Sequence, residues 1–165
     1  MRHRRGFTLI ELIVVVIVLG VLLAIVVPRL LGSTNDANAQ LIAKSVKDIR
    51  DAVAMAKLKC LGAINSAAGS VGVDTQALLS TLWGPSCQIL SPNAYTVDES
   101  GYAKVKDFGI QTDYQNANNL LVVNIDCQGN NEVCNKVREQ LNNMYGGSAC
   151  PTLPNNGFLT CNLQI

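Results

Sequence analysis

Gly6-Phe7-Thr8-Leu9-Ile10-Glu11-Leu12-Ile13 opens a run that stays almost continuously apolar from Phe7 to Val27. Its 21 residues would span about 31 Å as a helix at 1.5 Å per residue, matching the hydrocarbon layer of a bilayer. A secretory signal peptide carries an apolar core of only about 7–15 residues, so the run is too long to be one. Arg2, Arg4 and Arg5 stand on its N-terminal side and would hold that end in the cytoplasm, with everything after Pro28 on the other side. Glu11 breaks the pattern. A carboxylate inside a bilayer costs roughly 2.5–3.5 kcal/mol on insertion scales, which marks it as a functional candidate. Charge alone leaves a second reading open, in which the side chain snorkels to the interface beside Arg4 and Arg5.

The full string resembles the class III leader junction of type IV pilins and type II secretion pseudopilins, and is more like that of a pilin. The shared features are a short basic leader, Gly6 before the cut, Phe7 after it, Glu11 fifth in the product, and the unbroken apolar stretch. The resemblance is close over residues 1–30 and looser beyond them. It implies that a prepilin peptidase cuts between Gly6 and Phe7 and that the new Phe7 amine is N-methylated. It also implies that Glu11 of one subunit pairs with the Phe7 amine of a neighbour. In a low-dielectric core an unpaired member of that pair is heavily penalised, so the pair selects register more than it adds stability. Gly20 and Pro28 fall where pilins carry helix-weakening residues.

The partners implied are identical subunits in a helical homopolymer, the peptidase, an assembly ATPase with its platform protein, and membrane lipid before assembly. The implied location is the cytoplasmic membrane, as a single-pass precursor with its N-terminus inside, and then an extracellular filament serving adhesion, motility or DNA uptake. A minor pilin or a secretion pseudopilin is the alternative within the family. An adhesin or DNA receptor at a fibre tip would call for an enlarged head or a basic, aromatic surface, and the sequence has neither.

Composition narrows the chemistry. The 48% hydrophobic content is concentrated in the N-terminal run, leaving an ordinary polar globular remainder. Net charge is +1, and without the three leader arginines 10 basic side chains face 12 acidic ones. That balance lacks the clustered positive charge of a nucleic-acid binder. The lysines between Lys44 and Lys59 are interleaved with Asp48 and Asp51 and with no aromatics, so they read as a solvated or subunit-contact face. His3 is the sole histidine and lies in the leader. A chain cut after Gly6 therefore lacks a Ser-His or Cys-His pair and a His-based metal site, and the expectation is no enzyme, no cofactor and no metal. Asp126, Asn130, Asn131 and Glu132, like Asp98, Glu99 and Ser100, gather oxygen atoms, but their spacing fits turns and a helix start rather than a calcium loop.

Six cysteines, all beyond the apolar run, indicate disulfides made in an oxidising compartment. They permit 15 connectivities, and sequence does not choose among them. The expectation adopted is sequential pairing, Cys60 to Cys87, Cys127 to Cys134 and Cys150 to Cys161, the last resembling the C-terminal disulfide loop of many pilins.

The fold expected is α+β, a long helical stem on a small antiparallel sheet with disulfides. Residues 1–6 form the leader, 7–32 the transmembrane or filament-core helix, 33–61 the amphipathic half of the stem, and 62–165 the head. Ile42, Val46, Ile49, Val53, Ala56 and Cys60 recur at alternating steps of four and three, one apolar stripe of a helix that runs to Leu61. Pro28 is expected to bend or locally melt that helix, and residues 32–35 to interrupt it. Asp74 caps a short helix carrying Leu78, Leu79 and Leu82 and stopped at Gly84-Pro85. Strands are expected at 95–97, 102–105, 120–125 and 158–163, with a helix bearing Cys134, Val137, Leu141 and Met144 before Gly146-Gly147.

Overall fold

The apolar run and the stripe that follows it form one α-helix, α1 (Leu9–Lys59), in a computed structural model that describes residues 7–68, 74–92 and 94–165. The helix continues through Pro28 and through residues 32–35 without a break. The described residues fall into two compact units divided between Asp36 and Ala37.

Within the second unit, the stripe from Ile42 to Cys60 is at most 7% exposed at every position named above. Ala39, Ala43 and Ala52 fill the spaces beside it, small enough to let other elements approach the helix closely. Cys60 ends α1, and a short helix, α2 (Leu61–Ala68), follows. Helix α3 (Thr75–Trp83) starts where Asp74 accepts a hydrogen bond from the Ala77 N–H at 2.8 Å and stops at Gly84. It buries Leu78, Leu79 and Leu82 completely.

Five strands make an antiparallel sheet in the order β1-β2-β3-β4-β5: β1 (Thr96–Val97), β2 (Ala103–Val105), β3 (Phe108–Gln115), β4 (Leu120–Asp126) and β5 (Phe158–Gln164). Alternation puts Ile110 and Tyr114, then Leu121, Val123 and Ile125, then Leu159, Cys161 and Leu163 on the buried face. These side chains form one core with the α1 stripe and the α3 leucines. Helix α4 (Asn131–Tyr145) carries the chain from β4 to β5, capped by Asn130, which accepts from the Glu132 and Val133 N–H groups.

Polar ties fix the sheet to the helix. The Arg50 guanidinium donates to the Gln164 carbonyl from Nε at 3.1 Å and from Nη2 at 2.9 Å, while lying 5.2 Å from the Tyr145 ring centre. Lys57 donates to Asn119 and Lys106 donates to Asn38. The disulfides join Cys60 to Cys87, Cys127 to Cys134 and Cys150 to Cys161.

The α+β architecture expected from the sequence is the one found, with four differences in detail. The interruption expected at residues 32–35 is absent, because α1 keeps its helical backbone through them as it does through Pro28. The eight-residue β3 lies between β2 and β4, where no strand was expected. Helix α2 was also unanticipated. Met144 is 43% exposed, so the buried stripe of α4 ends at Leu141.

Candidate assembly site

The site is the N-terminal end of α1. Leader residue Gly6, and with it the scissile bond expected from the sequence, lies outside the described residues. Phe7 and Thr8 precede the helix, Leu9 is its first residue, and Glu11 sits in the first turn. The first four N–H groups of any helix lack an internal partner, and apolar surroundings would make that costly. Thr8 and Glu11 answer this together. The Thr8 N–H donates to Glu11 Oε2 at 3.0 Å and the Thr8 hydroxyl donates to the same oxygen at 2.9 Å. In return the Glu11 N–H reaches Thr8 Oγ1 at 3.4 Å. This is a capping box, with threonine at the N-cap and glutamate three residues on. The helix N-terminus also carries partial positive charge, a favourable place for a carboxylate.

Glu11 is thus held at the tip of an apolar rod. Phe7 is 76% exposed, Leu9 76% and Ile10 70%, and every residue through Arg29 is exposed. The helix is long and apolar enough to cross a membrane. Gly20 lies on it with nothing near the place a side chain would occupy, and Pro28 lies farther along the same exposed length. Such a surface needs lipid or protein around it, since a contiguous apolar area this large is not stable in water. The arrangement can therefore pack helix against helix and present one oriented carboxylate to a cation. Thr8 was not singled out in the sequence, although Thr8-Leu9-Ile10-Glu11 carries the capping-box spacing that signals it.

The oxygen-rich segments of the second unit have other occupations. Asp98 Oδ1 accepts from the Ser100 and Tyr102 N–H groups, and its Oδ2 meets Lys104 at 2.9 Å. The Tyr102 amide first, and then the Lys104 side chain, hold its carboxyl below the usual carboxylate range. Asp126 accepts from the Gln128 N–H, and Asn130 caps α4. Among the described residues no cluster of three or more metal-ligating side chains occurs. A cleft of about 720 Å³ in this unit brings Lys44, Lys104 and Lys106 beside Asp48 and Asp51, with Tyr95 as its one aromatic. Lysines and acids are thus mixed in this cleft, and on the stem itself Lys47 pairs with Asp51 at 2.7 Å.

Comparison with known proteins agrees with the geometry of α1. Residues 1–27 match a family model described as the prokaryotic N-terminal methylation motif. A type II secretion system core protein G of Klebsiella pneumoniae is 36% identical over 104 residues, covering 63% of this chain and 66% of that protein. The corresponding protein of Dickeya chrysanthemi is 50% identical over 48 residues, 29% of each chain. The type IV narrow pilus major component PilA5 of Thermus thermophilus is 40% identical over 58 residues, 35% of this chain and 50% of that one. This chain therefore spans less than two thirds of the length of each of these relatives. No solved structure matches it.

Proposed function

We propose, from the premise that this chain belongs to the family of type IV pilins and type II secretion pseudopilins, that it is a structural subunit which polymerises through the apolar length of α1 into a type IV pilus. The observation that carries the reading is the oriented Glu11 carboxylate at the end of the exposed apolar length of α1. Cleavage after Gly6 creates an α-amine on Phe7, one residue before the helix cap, with a free pKa of about 7.7–8.0 and so mostly charged at neutral pH. The same cut removes Arg2, Arg4 and Arg5, whose charges would be unpaired among apolar helices. Stems then leave lipid for other stems, so little apolar surface is newly exposed. Side-chain fit and the pairing of Glu11 with a neighbour's Phe7 amine set the register.

The chain waits in the cytoplasmic membrane with its N-terminus inside, is cut and N-methylated by a prepilin peptidase, and is lifted into the fibre by an ATPase and platform protein. Gly20 and Pro28 loosen the stem as it changes surroundings. The three disulfides fit a head that faces an oxidising compartment beyond the cytoplasmic membrane. A second reading, a secretion pseudopilin, is favoured by the Klebsiella similarity, whose 104 residues run well beyond the leader.

Mass spectrometry of the mature N-terminus tests the common premise. A peptide beginning with N-methylated Phe7 is expected, and one retaining Met1 overturns it. Deletion of the coding sequence separates the two readings: loss of sheared surface fibres with protein secretion intact identifies a pilin, and the reverse identifies a pseudopilin.

A further inference from the structure

Asn156-Gly157 is the one Asn-Gly dipeptide in the sequence, and asparagine before glycine is the pair most prone to deamidate. The reaction needs only water. The Gly157 amide nitrogen loses its proton to solvent base and attacks the Asn156 side-chain carbon. A C–N bond forms, the C–NH2 bond breaks, and ammonia leaves. The resulting five-membered imide is then opened by water at either carbonyl, giving aspartate or isoaspartate at position 156. Glycine allows this because no side chain obstructs the approach, and Asn156 is exposed to the water that the reaction uses.

The structure places three restraints on that nitrogen. Asn156 and Gly157 have φ of 51° and 78°, the centre of a two-residue hairpin turn closed by reciprocal Asn155–Phe158 hydrogen bonds at 3.0 and 2.9 Å. The Gly157 N–H donates to Asn131 Oδ1 at 2.7 Å, and the Gly157 carbonyl accepts from the Cys127 N–H at 2.7 Å. Both ends of the residue are therefore held. Gly157 is also pressed against Gly129, since a β-carbon built on it would lie 2.3 Å from the Gly129 backbone. Gly129 itself sits in the loop spanned by the Cys127–Cys134 disulfide.

We infer that Asn156-Gly157 is a latent deamidation site and that Asn131 is the residue that keeps it shut. To react, the Asn156–Gly157 peptide plane must rotate, which breaks the bond to Asn131 and drives Gly157 into a loop closed by a disulfide. Conversion would add a negative charge. In its isoaspartyl form it would also lengthen the turn by one backbone atom, which this corner has no room to admit.

The test uses the full chain, purified in detergent with its disulfides intact and held in warm, mildly alkaline buffer. Peptide mass spectrometry reads the one-dalton gain at position 156. The native chain should convert at least about fivefold more slowly than the same chain reduced and unfolded, the factor expected for one net hydrogen bond. Asn131→Ala should remove about that factor, whereas Asn131→Asp keeps an acceptor at the same place and should convert at the native rate. Equal rates in the folded and unfolded native chain overturn the inference, and so do equal rates in the two variants. Hydrogen exchange at the Gly157 amide of the unaltered chain provides a check independent of how the variants fold. Slow exchange is expected, and exchange at the rate of an open loop contradicts the restraint.

Discussion

A carboxylate among apolar side chains persists only where donors meet it, and Thr8 brings two to Glu11. That raises the question of whether Glu11 matters for the cap or for its charge, and two substitutions separate these. Glu11→Gln keeps an acceptor suited to the capping box and removes the charge. Glu11→Val removes both, and leaves the Thr8 N–H without its partner. Both variants should be cut and remain in the membrane yet appear poorly in sheared fibres. Normal fibres from Glu11→Gln would show that the ion pair is not what drives assembly. A second carboxylate gives a pH signature. The folded Asp98 carboxyl lies below its ordinary range, so its stabilising effect is complete above the unfolded value of about 3.9 and disappears as pH falls through the lower folded value. The Ser100 and Tyr102 amide resonances should therefore hold steady above about pH 4 and move below it, and Asp98→Asn should flatten that response.

At the scale of elements, what the sequence disclosed depended on how strongly one face was marked. The α1 stripe was legible because Ile42, Val46, Ile49 and Val53 are all large and apolar, and each is buried. Asp74 and Asn130 are residue types that cap helices, and both do so. Strand β3 was hidden for the opposite reason. Phe108-Gly109-Ile110-Gln111-Thr112-Asp113-Tyr114-Gln115 alternates, but glycine, glutamine and aspartate are weak strand formers and a buried Thr112 dilutes the apolar face. Its pairing with β4 along its length, from Gly109 opposite Asp126 to Gln115 opposite Leu120, overrides those preferences. At the site, the string marks Glu11 as the one charge in an apolar run, and Thr8 was overlooked despite its capping-box spacing. The bond from Arg50 to the Gln164 carbonyl joins residues 114 apart in sequence and left no local signal. If β3 belongs to the core, Ile110→Ala should lower stability by about 2–5 kcal/mol in urea unfolding. Gln111→Ala, one residue along on the outer face, should stay within about 0.5 kcal/mol of the native chain. Equal effects would mean that β3 does not face inward as described.

At the scale of the molecule, the two compact units differ in what each can bury. Among the described residues every member of the hydrophobic core lies at or beyond Ala39, and all three disulfides lie at or beyond Cys60, so the unit Ala37–Ile165 holds its own core and its own crosslinks. A chain beginning at Ala37 and exported to an oxidising compartment should accordingly be a folded, detergent-free monomer with six cysteines oxidised. The crosslinks should not contribute equally. Cys60 and Cys87 are separated by 27 positions, Cys150 and Cys161 by 11, and Cys127 and Cys134 by 7. Closing a longer loop removes more freedom from the unfolded chain, which on the entropic account gives about 3.5 kcal/mol for the first and about 2.5 kcal/mol for the other two. The first bridge also fastens the end of α1, the element that supplies one side of the core, to the segment after α3. Replacing Cys60 and Cys87 together by serine should therefore lower the unfolding midpoint more than replacing Cys127 and Cys134. The reverse order would mean that the grip on α1 comes from the buried stripe and the Arg50 tie rather than from the bridge.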